Sequence, residues 1–173
     1  SGKLSLKDWK ELVPEQESVL SSAEIIGGRL ILTYDKDASQ HAYVCGMDGK
    51  VAYEIKLPVL GSVGFSGKPD DKECFYSLTS FTIPGTIYKY DMDKNTSEVF
   101  RAPQVNFDAD SFVTEQVFYT SKDGTKVPMF LTYKKGLKKE GENPVFLYGY
   151  GGFGISLNPS FSAMRIPFLE NGG

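Results

Sequence analysis

A glycine-rich stretch that follows an apolar segment presents the two side chains best suited to chemistry. It reads Pro144-Val-Phe-Leu-Tyr-Gly-Tyr-Gly-Gly-Phe153. Its apolar part, residues 145–148, predicts a strand buried on both faces, because the run is short and lies between a proline and a glycine cluster. Two large aromatic side chains, Tyr150 and Phe153, then stand among glycines. Loops carry binding and catalytic residues more often than rigid elements do, so we interpret both aromatics as functional.

The glycines of this loop are interpreted as its supports. Gly149, Gly151 and Gly152 permit backbone angles that other residues resist. Two structural alternatives stay open from the residues alone. Tyr150 could be a buried tyrosine that satisfies a structural hydrogen bond, and Phe153 could be an ordinary core residue.

The same loop literally matches the dinucleotide-binding fingerprint, as Gly149-x-Gly151-x-x-Gly154. That site requires a helix directly after the glycines, so that the helix N-terminus receives the pyrophosphate. Here Ile155-Ser-Leu-Asn-Pro159 follows, which is not a helix start, and Phe153 is bulky where a phosphate would approach. The context therefore disfavours a Rossmann oxidoreductase.

The 173 residues do not encode a complete serine-hydrolase triad. A Gly-x-Ser-x-Gly nucleophile elbow is absent, since Gly64-Phe-Ser-Gly67 and Gly154-Ile-Ser-Leu157 have the wrong spacing. With His41 as the single histidine, the chain cannot assemble a Ser-His-Asp triad by itself. His41 also cannot build a zinc site without other histidines or clustered cysteines, so we expect no metal. Cys45 and Cys74 have no CxxC spacing and are predicted to be buried free thiols, with a disulfide or a metal site as the alternatives.

The composition describes a globular chain of one or two domains with no sign of a nucleic-acid or membrane partner. Hydrophobic residues make up 40% of the sequence, and the net charge is −3 with no basic stripe. No apolar run approaches the length of a membrane helix. Because the sequence starts with Ser-Gly rather than Met and stops at Asn171-Gly-Gly173, we expect a piece of a longer protein whose compartment cannot be deduced.

An ungapped internal repeat with a shift of 45 positions organises the first part of the sequence. The shift takes Tyr43 to Tyr88 and Met47-Asp48 to Met92-Asp93. Each copy has three short β-rich runs with turn signals between them. Repeats of this length that are built from short strands are typical of β-propeller blades.

A fourth, innermost strand completes each copy of the repeat. Ala23–Ile26 fits that position in the first copy and Gly61–Phe65 in the second, while Glu15–Ser22 is polar and is predicted to be a loop. Residues 1–104 are therefore predicted to form about two blades and a tail, too few to close a ring. Two unrelated hairpins in an open sheet are the alternative.

The pattern changes after Pro103, where a new sheet is predicted. Runs at 114–120 and 126–133 alternate like strands, with the hairpin signal Asp123-Gly124 between them. Pro128 indicates that its strand lies at an edge or is bulged. The buried run at residues 145–148 would be the third strand.

Two further segments give less definite patterns. Ser5–Val13 is either a short helix that starts with a capping box, or an extended segment with Trp9 and Leu12 as its anchors. A helix is predicted to begin within Ser162–Glu170, and Pro167 would either limit that helix to its first turn or kink it.

Five segments together carry a family resemblance. They are Lys7-Asp-Trp-Lys-Glu-Leu-Val-Pro14, Phe65-Ser-Gly67, Ser80-Phe-Thr-Ile-Pro-Gly85, Ser121-Lys-Asp-Gly-Thr-Lys-Val-Pro-Met-Phe130 and Leu147-Tyr-Gly-Tyr-Gly-Gly-Phe153. The set spans essentially the whole chain and resembles the prolyl oligopeptidases, which are post-proline serine peptidases. Gly154 departs from relatives that carry a polar residue there, which leaves fine substrate preference open. The resemblance favours the extended form of Ser5–Val13.

The resemblance implies a mainly β chain with two parts. Residues 1–104 would be the last blades of a β-propeller, and residues 105–173 the first strands of an α/β-hydrolase catalytic domain. The parent protein would hydrolyse short peptides on the carboxyl side of proline through an acyl-enzyme. Tyr150 matches the tyrosine whose phenol donates to the oxyanion, and Phe153 matches a residue that lines the proline pocket. The nucleophile, general base and aspartate would lie outside this chain.

The resemblance also implies partners and surroundings. No cofactor is expected, and the partners would be short proline-containing peptides and the remainder of the polypeptide itself, with no nucleic acid and no membrane. A cytoplasmic location is implied, and the sequence leaves a secreted or periplasmic one open. The principal alternative is a non-catalytic β-propeller that serves as a protein-interaction module.

Overall fold

Ten β-strands and one short α-helix make up the computed structural model, which describes residues 5–173. The elements are β1 (Val19–Ile26), β2 (Arg29–Lys36), β3 (Ser39–Cys45), β4 (Val51–Ile55), β5 (Ser62–Ser66), β6 (Cys74–Thr79), β7 (Thr86–Asp91), β8 (Thr96–Arg101), β9 (Phe112–Thr120), β10 (Lys126–Lys134) and α1 (Ile166–Glu170). Three-residue 3₁₀ helices lie at Leu6–Asp8, Ala109–Ser111 and Ala163–Arg165. The chain is therefore mainly β, as predicted.

The first eight strands form two antiparallel meanders of four strands each. Sheet I has the order β1-β2-β3-β4 and sheet II the order β5-β6-β7-β8. The predicted repeat is confirmed in register, because β2 and β6 begin at residues 29 and 74, and β4 and β8 begin at residues 51 and 96. Each pair of starts is 45 positions apart, so the two sheets are copies of one four-stranded unit.

The innermost strands were predicted correctly in position, but β1 is longer than expected. It begins at Val19, so the second half of the loop predicted over Glu15–Ser22 is wrong. Val19 and Leu20 pair with Asp35 and Tyr34, and a bulge follows before Ser22. Polar and exposed side chains are compatible with a strand at a sheet edge, since only backbone groups make the pairing.

The main core lies between sheets I and II. In β6, Cys74, Tyr76 and Leu78 are buried and alternate with more exposed residues, as expected for a strand with one covered face. Tyr76 stacks on Tyr88, with ring centroids 5.0 Å apart. The sheet I side of this core consists of aliphatic residues at positions 26, 31, 42, 44 and 55. Burial of these apolar faces is what holds the two sheets together.

Polar contacts close one end of the interface between the two sheets. Arg29 Nη1 donates to the carbonyl of Met92 at 2.7 Å, and Arg29 also forms an ion pair with Asp93. The Tyr53 hydroxyl donates to the same Met92 carbonyl. The Met92-Asp93 turn of the second repeat thus docks against side chains of the first.

The N-terminal tail covers the opposite face of sheet I. The short helix predicted from the capping-box pattern is present as a single 3₁₀ turn, with one of the two bonds of the box: the backbone N–H of Ser5 donates to Asp8 Oδ2 at 2.9 Å. The prediction that Trp9 and Leu12 anchor this segment is wrong, since their side chains are 72% and 43% exposed. Val13 packs instead, against a cluster of Leu30, Leu32, Tyr34 and Cys45. The backbone carbonyl of Leu12 lies against the turn at Gly49, between β3 and β4, while the Leu12 side chain is partly exposed.

The hairpin predicted after residue 104 is confirmed. Strands β9 and β10 form a two-stranded sheet, called here the hairpin sheet, and Gly124 takes a φ of +87° in its turn. Pro128 lies opposite Phe118 in continuous register, so its strand is an edge strand without a bulge. The short helix α1 has a proline in its first turn, as predicted, and packs Ile166 and Leu169 against Phe112.

The buried strand predicted over residues 145–148 is wrong. The segment has no regular secondary structure, and its side chains are exposed, with Val145 at 83% and Leu147 at 80%. A strand covered on both faces needs neighbours to pair with, and the hairpin sheet stops at two strands within residues 5–173. The apolar sequence therefore remains without the partners that its pattern predicts.

No helix in the described part of the chain is long and apolar enough to cross a lipid bilayer.

Candidate functional site

The glycine loop, residues 149–154, is held in a tight turn by one backbone hydrogen bond. The N–H of Ile155 donates to the carbonyl of Gly152 at 3.1 Å. The two central residues of this turn, Phe153 and Gly154, have φ values of +56° and +66°. Two successive positive φ angles are the pattern of a type I′ turn, which glycine adopts freely and phenylalanine does not.

Phe153 therefore pays a conformational penalty, of about 1–2 kcal/mol for an L-residue in the left-handed region. Its side chain is 94% exposed, so no packing within the described residues offsets that penalty. Strained backbone at an exposed loop is typical of a site that is shaped for binding or catalysis. The structure thus presents Phe153 outward, as a residue available for contact with another molecule or segment.

Tyr150 is half-exposed, at 49%, and lies against the backbone of Gly152. A Cβ at Gly152 would be 3.1 Å from the Tyr150 hydroxyl and 3.2 Å from the ring carbon that carries it. Glycine at 152 therefore lets the phenol fold over the loop. A Cβ at Gly149 or Gly151 would meet nothing within 4 Å, so steric crowding does not require glycine at these two positions.

The only histidine lies beside a serine and a glutamate that sequence reasoning did not connect. His41 Nδ1 is 2.9 Å from Glu54 Oε1, and His41 Nε2 is 3.5 Å from Ser39 Oγ. These are hydrolase residue types, brought together by the pairing of β3 with β4. Ser39 is 1% exposed and its hydroxyl donates to the Lys36 carbonyl at 3.2 Å, so it cannot reach a substrate. The cluster is structural.

The two cysteines are buried free thiols, as predicted. Cys74 is fully buried in the core between the sheets, and burial, with a smaller contribution from Glu24, raises the pKa of its thiol to about 12. Burial also raises the pKa of the Cys45 thiol. Because the thiolate is the reactive form, neither cysteine is suited to nucleophilic work. Among residues 5–173, no three His, Cys, Asp or Glu residues lie close enough together to hold a metal ion.

Two clefts lie near sheet boundaries rather than at the glycine loop. One, of about 350 Å³, separates sheet II from the hairpin sheet and is lined by Leu60, Ile83, Phe112 and other residues. The other, of about 320 Å³, lies over the Arg29 contacts between sheets I and II. Neither is lined by Tyr150 or Phe153, whose side chains are 49% and 94% exposed.

Comparison with known proteins gives this architecture a family. Residues 3–103 match the family model described as "Prolyl oligopeptidase, N-terminal beta-propeller domain". The chain is 46% identical over 166 residues to the prolyl endopeptidase of Elizabethkingia meningoseptica, covering 95% of this chain and 23% of that protein. It is 36% identical over 168 residues to prolyl oligopeptidase A of Galerina marginata, covering 94% and 23% respectively.

Solved structures give the same result. A structure from a study of two prolyl endopeptidases superposes with a TM-score of 0.86 at 40% identity, over 98% of this chain and 25% of that one. Prolyl oligopeptidase B of Galerina marginata superposes with a TM-score of 0.83 at 28% identity, over 94% and 24%. The chain belongs to the prolyl oligopeptidase family, and sheets I and II lie within the residues that match its N-terminal β-propeller domain. It spans about a quarter of the length of the curated relatives that it matches.

Proposed function

We propose that this chain works as part of a serine-type prolyl oligopeptidase that hydrolyses short peptides after proline. The observation that carries the proposal is its 46% identity to a prolyl endopeptidase over 95% of the chain. That alignment is too long to stop at residue 103, where the propeller match ends, so the likeness includes the segment that holds the glycine loop. Galerina marginata prolyl oligopeptidase B, a structural relative, has been solved with a 35-residue hydrolysis and macrocyclisation substrate.

In this proposal residues 105–173 begin the α/β-hydrolase domain. Remaining strands of the polypeptide would pair with the hairpin sheet and with residues 145–148, which would then become the buried strand that their apolar pattern predicts. The exposure of Val145 and Leu147 supports this arrangement, because isolated apolar side chains of this size lose favourable burial when they face water. The Ser, His and Asp of the triad would come from outside the 173 residues.

Tyr150 and Phe153 have separate roles in the proposed reaction. The serine would attack the carbonyl carbon of the scissile bond, with histidine taking the hydroxyl proton and aspartate orienting the ring. Negative charge then develops on the carbonyl oxygen, and the neutral phenol of Tyr150 would donate a hydrogen bond to it. Phe153 would pack its flat ring against the pyrrolidine of the P1 proline, which needs no hydrogen bond. No cofactor takes part in this acyl transfer.

The test is steady-state kinetics of Tyr150→Phe in the full-length protein, on a chromogenic peptide with proline at P1. Removal of one oxyanion donor typically lowers kcat by about 10²–10³-fold, so we expect kcat/KM to fall by about 10²-fold or more. Thermal unfolding of the variant serves as the control, because it separates a loss of activity from a loss of folding. An unchanged rate would make Tyr150 structural, and a parent protein that does not cleave after proline would remove the proposed activity.

A non-catalytic interaction module is the second candidate. It is favoured by the propeller match alone, which accounts for residues 3–103 without any catalytic segment. It offers no reason for the likeness to a prolyl endopeptidase beyond residue 103, in the segment that holds the glycine loop. Covalent labelling of the full-length protein by a serine-directed fluorophosphonate separates the two candidates, because an interaction module has no activated serine to react.

A further inference from the structure

Three residues just past the glycine loop, Asn158, Pro159 and Phe161, anchor this part of the chain to both propeller blades. We call Asn158–Phe161 the docking segment. Pro159 is fully buried, and its carbonyl accepts a hydrogen bond from Ser62 Oγ of β5 at 2.8 Å. The N–H of Phe161 donates to Thr79 Oγ1 of β6 at 3.2 Å. Both partners in sheet II lie 82 or more positions away in sequence, so these are tertiary anchors rather than local turns.

Asn158 supplies the anchor to sheet I. Its Nδ2 donates to Asp35 Oδ1, at the end of β2, at 3.0 Å. A hydrogen bond to a carboxylate is roughly twice as strong as one between neutral groups. The other amide atom, Asn158 Oδ1, is buried and has no hydrogen-bond partner within residues 5–173. A buried acceptor without a partner costs free energy, and the hydrogen bond to Asp35 offsets that cost in the docked position.

The docking segment is the nearest fixed point on the C-terminal side of the glycine loop. Four residues separate Phe153 from Asn158, and an extended chain covers at most about 3.6 Å per residue. The loop has few contacts of its own, since a Cβ at Gly149, Gly151 or Gly154 would meet nothing within 4 Å. Its position relative to the blades therefore depends on where the docking segment is held.

We propose that Asn158 is a positioning residue, which holds the glycine loop in a fixed relation to the propeller through its hydrogen bond to Asp35. In this way the rim of the two blades sets the orientation of Tyr150. The catalytic consequence of this inference rests on the function proposed above, whereas the mechanical coupling does not.

Amide hydrogen exchange in the chain itself tests the coupling. Asn158→Asp places two carboxylates side by side, and we expect faster exchange at the Phe161 amide, which reports on docking, and at the Ile155 amide, which reports on the loop. The swapped double variant Asp35→Asn/Asn158→Asp restores a donor opposite a carboxylate, so both amides should return toward wild-type exchange. Asn171→Asp is the matched control, because the Asn171 amide bonds only within its own helix, to the Pro167 carbonyl.

If the exchange rate of the Ile155 amide were unchanged in Asn158→Asp, the proposal would be overturned even with faster exchange at Phe161. Docking would then not control the loop. A double variant that exchanges as fast as Asn158→Asp would overturn it as well, because the Asn158–Asp35 bond would not be the cause.

Kinetics in the full-length protein test the catalytic consequence. We expect Asn158→Asp to lower kcat about tenfold with KM within about threefold of wild type, because a displaced donor weakens only the transition state. The swapped variant should recover most of this loss, and Asn171→Asp should lose none. Equal losses in Asn158→Asp and the swapped variant would overturn the positioning role. If the wild-type full-length protein fails to cleave after proline, the proposed function falls, and exchange at Ile155 alone decides the coupling.

Discussion

Phe153 combines two features that stability does not explain. Its backbone lies in the left-handed region at a φ of +56°, and its ring is 94% exposed. Glycine at this position would remove the strain, and a polar side chain would remove the exposed apolar surface. A phenylalanine that meets neither demand is best accounted for by a contact made outside the described residues, such as the P1 proline of the proposed substrate.

Cys74 gives a residue-scale prediction about pH. Its thiol has a pKa raised from 9 to about 12 in the folded chain, chiefly by burial. Between those values the unfolded chain loses a proton that the folded chain keeps, so the free energy of unfolding falls as pH rises, by about 1.4 kcal/mol per pH unit. Below about pH 8 the thiol is almost entirely neutral in both states and contributes almost no pH dependence. Urea unfolding at pH 8, 9 and 10 measures this slope.

Cys74→Ala is the control for the pH prediction. The variant should be less stable at pH 8, because it leaves a small cavity in the core between the blades. Its stability should then fall less steeply with pH than that of wild type, since the remaining titrating groups are common to both. Parallel slopes in the two proteins would show that Cys74 does not titrate as its burial requires.

At the scale of elements, two hairpin turns form a natural comparison. Both follow the sequence Asp-Gly, at Gly49 and Gly124, with φ values of +82° and +87°. A Cβ at Gly49 would lie 2.0 Å from the carbonyl oxygen of Leu12, whereas a Cβ at Gly124 would meet nothing within 4 Å. The first turn is therefore a docking point for the N-terminal tail, and the second is a turn only.

Gly49→Ala and Gly124→Ala should separate the cost of backbone strain from the cost of a lost contact. Each places alanine in the left-handed region, which costs about 1–2 kcal/mol. Gly49→Ala must also displace the tail from sheet I, so we expect it to lose at least about 1 kcal/mol more, by urea unfolding. Trp9, the single tryptophan, lies three residues from Leu12, and its fluorescence should change in Gly49→Ala only. Equal losses with unchanged fluorescence would mean that the tail contact does not contribute.

Elements that are specified by local signals were predictable from the sequence. The turn at Asp123-Gly124 belongs to this class, because turn chemistry acts within a few residues. The 45-residue repeat was recognised in the same way, since it consists of short strand and turn signals that recur along the sequence. The anchoring of the tail by Val13 rather than Trp9 was not predictable, since it depends on which side chains meet a distant sheet. The proximity of Ser39, His41 and Glu54 was missed because cross-strand register, rather than spacing, produces it.

The candidate site was predictable in its residue types but not in its geometry. Aromatics among glycines indicated a functional loop, and the roles of Tyr150 and Phe153 remain predictions. The sequence offered several glycines for the strained position, and the structure places positive φ on Phe153 and Gly154. Docking through Asn158 could not be predicted, because its partner Asp35 lies 123 positions away.

At the scale of the whole molecule, two apolar surfaces lack a covering element within residues 5–173. One is the segment at residues 145–148, where the side chains of Val145 and Leu147 are 83% and 80% exposed. The other is the outermost strand β8, whose residues are all exposed and whose Phe100 packs edge-on against Phe75, with ring centroids 5.1 Å apart. Exposed apolar segments with unpaired backbone groups favour association between chains.

The segment at residues 145–148 should behave in opposite ways in the chain alone and in the full-length protein. In the chain alone, Val145→Lys/Leu147→Lys replaces exposed apolar surface with charge, so sedimentation velocity should show less concentration-dependent association. In the full-length protein the same residues would form a buried strand, where two lysines lack partners, and the melting temperature and the activity should both fall. Met164→Lys, at a side chain that is 90% exposed, is the control and should change neither protein. If Phe100→Lys reduced association and the double variant did not, the contact would lie on β8. If the double variant also left the full-length protein stable and active, residues 145–148 would not be a strand of the catalytic domain.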